Sequence, residues 1–167
     1  MSNNIVYVPA KTGPAYWVMG DRFTFLVTGE ESGGSYFTLE VNVGPGNGPP
    51  PHIHHREEEQ FYVLEGELTF RVGDQTRRAS PGDFVHIPRD TIHSFKNGPA
   101  PARLLATFAP AGIEQFFREV GEPVEDPSAP PPPVTAETIA RFITVEASGW
   151  KDHHETLPPP VTEEKGQ

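Results

Sequence analysis

The sequence predicts an all-β fold, a double-stranded β-helix (jelly roll) with short helices near its C-terminal end. Three observations predict it. Short runs rich in β-branched and aromatic residues follow one another from Tyr16 to Ala109, separated by turns rich in Gly, Pro and Asp. Apolar and polar side chains alternate along the best of these runs, as they do in strands with one face in a core. The chain has 167 residues, enough for one core and too few for two, so the strands belong to a single container.

In chain order, Tyr16 to Met19 and Arg22 to Val27 are the first two strands, joined by Gly20-Asp21. Glu30 to Gly34 is a turn. In the strand Ser35 to Val43, Phe37, Leu39, Val41 and Val43 share one face, with Thr38, Glu40 and Asn42 on the other. Gly44 to Pro51 carries too much Gly and Pro for regular structure and delivers the chain to His52. Gln60 to Leu64 is an aromatic strand stopped by Glu65-Gly66. Glu67 to Val72 and Thr76 to Ala79 form a hairpin over Gly73-Asp74-Gln75, and Ser80-Pro81-Gly82-Asp83 is a turn. Phe84 to Ile87, Thr91 to Phe95 and Arg103 to Ala109 complete the set. Antiparallel strands in this number close into a jelly roll.

After Pro110 the period changes. Ile113, Phe116, Phe117 and Val120 recur at helical spacing, which predicts a short amphipathic helix packed on the barrel. Residues 1–121 therefore form the barrel and its first packing helix. Residues 122–134, with Pro130 to Pro133, form an extended linker. Residues 135–167 form a second helix, to about Val145, followed by a largely irregular acidic tail with little order from His153 onward.

Composition removes several functions. There are no cysteines, which excludes disulfides, thiolate ligands and a cysteine nucleophile. The net charge of −10 argues against a nucleic-acid partner. Nine acidic and three basic residues lie from Glu122 onward, so most of that charge belongs to the tail and serves solubility. Neither a secretory signal nor a membrane span fits the N-terminus, so a cytoplasmic location with no membrane partner is the expectation.

The chemistry concentrates in Pro49 to Asn97. His52 and His54 are two apart, so on an extended strand both imidazoles leave the same face, while His55 faces away. A carboxylate among Glu57, Glu58 and Glu59 can return to them from the next strand, and His93 offers a third imidazole. Three nitrogens and one oxygen suit Fe, Mn, Ni, Co, Cu or Zn and leave coordination positions open to a ligand. His86 is left unassigned between cavity and exterior. His153 and His154 are expected to be solvated surface. Phe61, Val63 and Phe95 share strand parity with Glu59 and His93 and are the candidate apolar walls of a substrate pocket.

At these residues the sequence resembles the cupin superfamily. Gly46, His52, His54, Glu59 and Gly66 meet its first motif: Gly, five residues, His-x-His, three or four residues, Glu, six residues, Gly. Gly82, Pro88, His93 and Asn97 meet the second, with Asp90 where the family usually has Gly, a change that touches a turn and no ligand. Spacing to Gly66 favours Glu59 over Glu58, the fallback. The resemblance implies one divalent transition metal per chain held by His52, His54, Glu59 and His93.

The chain is also similar to small cupins grouped with flavonol (quercetin) 2,3-dioxygenases. That similarity implies a dioxygenase acting with O2 on a small enolic or phenolic molecule, with Glu59 also taking the substrate's proton. A cupin that binds a small ligand without turnover, and a non-redox isomerase or hydrolase, are the alternatives, because a fold does not set a reaction. Tyr62 and Leu64 face away from Glu59 and need cover, for which a homodimer is the simplest source.

Overall fold

The computed structural model describes residues 5–159. The first half of the barrel is β1 (Ala15–Val18), β2 (Asp21–Val27), helix α1 (Gly29–Ser32), β3 (Phe37–Val43), β4 (His52–Ile53) and β5 (Glu58–Glu65). The second half is β6 (Leu68–Val72), β7 (Gln75–Ala79), β8 (Phe84–Ile87), β9 (His93–Asn97) and β10 (Ala102–Ala109). Helix α2 (Ile113–Val120), β11 (Glu122–Pro123), helix α3 (Ala136–Val145), a π-helical turn (Glu146–Trp150) and β12 (Glu155–Thr156) follow.

The strands make two antiparallel sheets that face each other, in the orders β11-β1-β2-β3-β10-β5-β8 and β12-β4-β9-β6-β7. This is the jelly roll expected from the sequence. Alternation in β3 holds: Phe37, Leu39, Val41 and Val43 are buried and the residues between them are not. The same pattern on β10 buries Ala102, Leu104, Ala106 and Phe108, so the two paired strands present one continuous apolar surface to the interior. On α2, Ile113, Phe116, Phe117 and Val120 are buried, and Phe117 meets the ring of Phe23 edge-on at 4.9 Å. No helix among the described residues is long and apolar enough to cross a membrane.

Two segments differ from the expectation. Glu30 to Ser32, read as part of a turn, belong to the single helical turn α1, where Glu31 Oε2 accepts from the Thr28 amide at 2.8 Å. The larger correction concerns the tail. The chain from His153 to Thr156 is ordered against the barrel, with β12 paired to β4 through Glu155 to Ile53 and Thr156 to His52. The Asp152 carbonyl accepts from the amides of His55 and Arg56, and the Leu157 amide donates to the Pro51 carbonyl.

The cause is Glu146, a buried carboxylate whose Oε1 accepts from His154 Nδ1 (2.6 Å), Thr156 N (2.8 Å) and Thr156 Oγ1 (2.8 Å). Burying that charge requires those donors, and collecting them folds the segment back. Residues 160–167, the acidic end of the expected tail, lie outside the described residues.

Candidate metal centre

The irregular run before His52 is held against β9. Gly48 sits at φ 152°, and a Cβ there would lie 2.0 Å from the Phe95 carbonyl oxygen, so glycine is required for this approach. Asn97 clips the same region, its Nδ2 donating to the carbonyls of Gly44 (2.9 Å) and Ala100 (2.8 Å). With β4 fixed in this way, His52 pairs in register with His93, and their rings lie 4.2 Å apart. His54 follows on the same side, 5.0 Å from His52 and 5.2 Å from His93. Glu59 reaches them from β5 in the opposite sheet.

All four side chains are buried, and one ligand atom from each lies within 4.8 Å of every other. The structure thus brings together the four residues expected to meet. Each imidazole has one nitrogen committed outward. His52 Nδ1 donates to the Pro50 carbonyl (3.0 Å), His93 Nδ1 to the Thr91 carbonyl (2.8 Å), and His54 Nδ1 to the His153 carbonyl. The Nε2 atoms of His93 and His54 lie 3.0 and 3.5 Å from Glu59 Oε2.

A neutral imidazole whose Nδ1 carries the hydrogen offers only a lone pair at Nε2, and a carboxylate offers only lone pairs. Lone pairs gathered in a dry interior call for a cation between them, so the donor set fits a metal ion. Burial, reinforced by His154, His93 and His54, pushes His52 well below the usual imidazole range. At Glu59 burial acts upward, and positive charge on His54 and His93 with hydrogen on their Nε2 atoms, standing where a cation would, acts downward and holds the carboxyl at about 2.

A cavity of about 380 Å³ opens from this cluster. Phe61, Phe95 and Phe108 line it from the barrel, and Phe142, Ile143 and His154 line it from the C-terminal segment. Phe61 and Phe95 therefore line this cavity. Val63 does not: it is fully buried beside Leu104 and is not among the residues that line the cavity. Strand parity gives a side chain's face and says nothing of its depth.

Other candidates fall outside the cluster. His86 is on the exterior, with Nε2 3.3 Å from Glu58 Oε2, which removes Glu58 as an alternative ligand. His55 is a surface residue between Asp90 (2.6 Å) and Glu155 (3.2 Å). Asp90 holds the left-handed conformation (φ 58°) of the turn that precedes His93. Glu57 is buried against His153 with Oε2 unpartnered, and burial pushes its carboxyl up to about 8.

Sequence reasoning missed His154 and Glu146. His154 is buried at 6% exposure, its ring parallel to that of His52 at 4.6 Å, and burial lowers its basicity. The only hint was the His153-His154 pair itself.

A cupin-domain family model matches residues 39–108, which span β3 to most of β10. The chain is 32% identical over 107 residues to quercetin 2,3-dioxygenase of Bacillus subtilis (strain 168), covering 64% of this chain and 32% of that protein. It is 30% identical over 116 residues to quercetin 2,3-dioxygenase of Aspergillus japonicus, covering 65% of this chain and 33% of that one. The chain thus spans about a third of the length of these curated relatives. Among solved structures, KdgF from Halomonas sp. superposes with a TM-score of 0.60 at 18% identity, over 68% of this chain and 99% of that one, a likeness of fold.

Proposed function

We propose, from the premise that this chain belongs to the cupin superfamily, that it is a metal-dependent dioxygenase of small enolic or phenolic substrates. The observation that carries the reading is the buried set of acceptors, His52, His54, Glu59 and His93, opening onto an aromatic-walled cavity. These four residues would hold one divalent transition metal per chain. Such a metal, when bound, acidifies a coordinated hydroxyl and brings O2 chemistry to the site.

The chain's own residues do the rest. The carbonyls of Pro50, Thr91 and His153 fix the tautomers of the three imidazoles, so each Nε2 is presented inward before any cation arrives. Phe61, Phe95 and Phe108 form apolar walls that suit an aromatic ring and exclude water from beside it. Glu59, the one carboxylate of the set, is the group able to take the hydroxyl's proton.

The test is O2 uptake by protein reconstituted separately with Fe, Mn, Ni or Co and offered flavonols and other enolic or phenolic compounds. Uptake is expected with at least one pairing, and Glu59→Gln should lower it by about 100-fold or more. No uptake in any pairing overturns the reading. A ligand complex stable in air would make the chain a binder instead.

Association of two copies through the outer face of the larger sheet accompanies this reading. Tyr62 (43% exposed) and its cross-strand neighbour Phe84 (59% exposed) lie on that face at the β8 edge. Sedimentation should give the mass of two chains for the native protein and of one for Phe84→Glu. A monomer in both cases removes the dimer.

A further inference from the structure

We infer that His154, carried to the cavity by the C-terminal segment and oriented by Glu146, accepts a hydrogen bond from a hydroxyl of the bound small molecule. This rests on reading the four-residue cluster as a metal centre that receives a ligand oxygen. His154 is not one of those four residues. It belongs to β12's approach, about sixty residues beyond the second motif.

The ring is fixed on both faces. It lies between His52 (4.6 Å, 17° between planes) and Phe116 (5.3 Å, 21°), with Phe142 edge-on at 5.5 Å. Its Nδ1 is 2.6 Å from Glu146 Oε1, and since a carboxylate only accepts, Nδ1 carries the hydrogen. Nε2 then holds a lone pair. It has no partner among the described residues, while the ring lines the cavity beside His52, His54 and Glu59. A fixed acceptor with no donor, in a mostly apolar enclosure, is completed by a ligand that brings the donor and penalises one that cannot.

Position sharpens the ligand class. Because His154 stacks directly on His52, a hydroxyl that reaches it is next to the oxygen that reaches the cation. The matching molecule is a small aromatic with oxygens on adjacent carbons, of which the one not on the cation bears hydrogen. Glu146 acts through His154 and is a positioning residue.

The experiment measures binding in the absence of O2, using cobalt-loaded protein and two chromophoric probes, 4-nitrocatechol and its monomethyl ether 2-methoxy-4-nitrophenol. The native protein is expected to prefer the catechol by tenfold or more. His154→Phe keeps a ring between His52 and Phe116 but lacks the acceptor. It should weaken the catechol about tenfold, change the ether less than twofold and so close the gap, with cobalt content unchanged. His154→Gln, which returns an acceptor oxygen, should reopen part of that gap; His154→Leu, which also lacks the acceptor, is the variant to read if His154→Phe fails to fold or to hold cobalt.

An unchanged preference in the variant read overturns the inference, as does failure of both probes to bind the native protein. Because no O2 is present, absence of turnover leaves the inference standing. A chain that consumes O2 while His154→Phe keeps the full preference retains the oxygenase reading and loses this one.

Discussion

At the scale of single residues, the site is defined by which atoms are already spoken for. Backbone carbonyls occupy the outer nitrogens of His52, His54 and His93, and what remains inward is a set of lone pairs. Those three histidines and Glu59 were legible in the sequence because a metal centre needs several donors at once, and their joint spacing is rare where a single histidine is common. His154 was not legible. Its place depends on a bond to Glu146 that follows no strand or helix period, and on stacking against residues a hundred positions away. Glu146 also makes a prediction at this scale. Burial alone would raise its carboxyl, but the donors from His154 and Thr156 win and hold it below the ordinary glutamate value near 4.3. A depressed carboxyl contributes stability that is present above the unfolded value and is lost as pH falls through the folded one. The C-terminal segment should therefore release below about pH 4.3, in a step visible in the emission of Trp150, which packs on Phe116. In Glu146→Gln that step should vanish. If both proteins lose the signal at the same pH, Glu146 does not hold the segment.

At the scale of elements, local pattern and tertiary pairing divide the fold between them. β3, β10 and α2 were legible because each carries its own period, two for the strands and 3.6 for the helix, and each buries the face that period marks out. β4 and β12, of two residues each, carry no period. They exist because His52 and Ile53 have neighbours to pair with. A proline-rich acidic composition suggested an unstructured tail, and composition has no means of registering a buried carboxylate that gathers donors from ten residues ahead. The approach of β4 to β9 depends in turn on Gly48. A methyl at this position meets the Phe95 carbonyl at 2.0 Å, on a backbone whose φ of 152° already disfavours a side chain. Gly48→Ala should cost roughly 2–4 kcal/mol in urea unfolding and should also weaken metal retention, since it displaces His52 and His93 relative to one another. Gly33→Ala, at a left-handed position with nothing within 4 Å, serves as the control for backbone strain alone. Equal costs at the two positions would show that the close approach at Gly48 has no particular weight.

At the scale of the whole molecule, the centre adds a tie between the two sheets beside the apolar contact of Phe70 with Phe61. His52 and His93 stand on the five-stranded sheet, with His54 just after β4, and Glu59 stands on the seven-stranded one, so a cation held by all four fastens the two layers together. The C-terminal segment adds a third attachment, because the His153 carbonyl that accepts from His54 comes from the chain that caps the cavity. The sequence displayed the two layers and the ligands but not this third part, whose contribution is a backbone carbonyl that any residue type would supply. A group that binds the folded chain and not the unfolded one raises stability by mass action, by about 2.7 kcal/mol at a hundredfold excess over Kd. For a domain of this size that corresponds to a rise in Tm of roughly 5–10 °C. Adding a divalent transition metal to chelator-treated protein should produce this rise, and chelator should reverse it. Glu59→Gln removes the one ligand contributed by the larger sheet, so its melting temperature should respond far less to the same metal while its strand content, read by far-ultraviolet dichroism, stays native. A full rise in that variant would mean that the cation is held by the histidine sheet alone and does not tie the two layers.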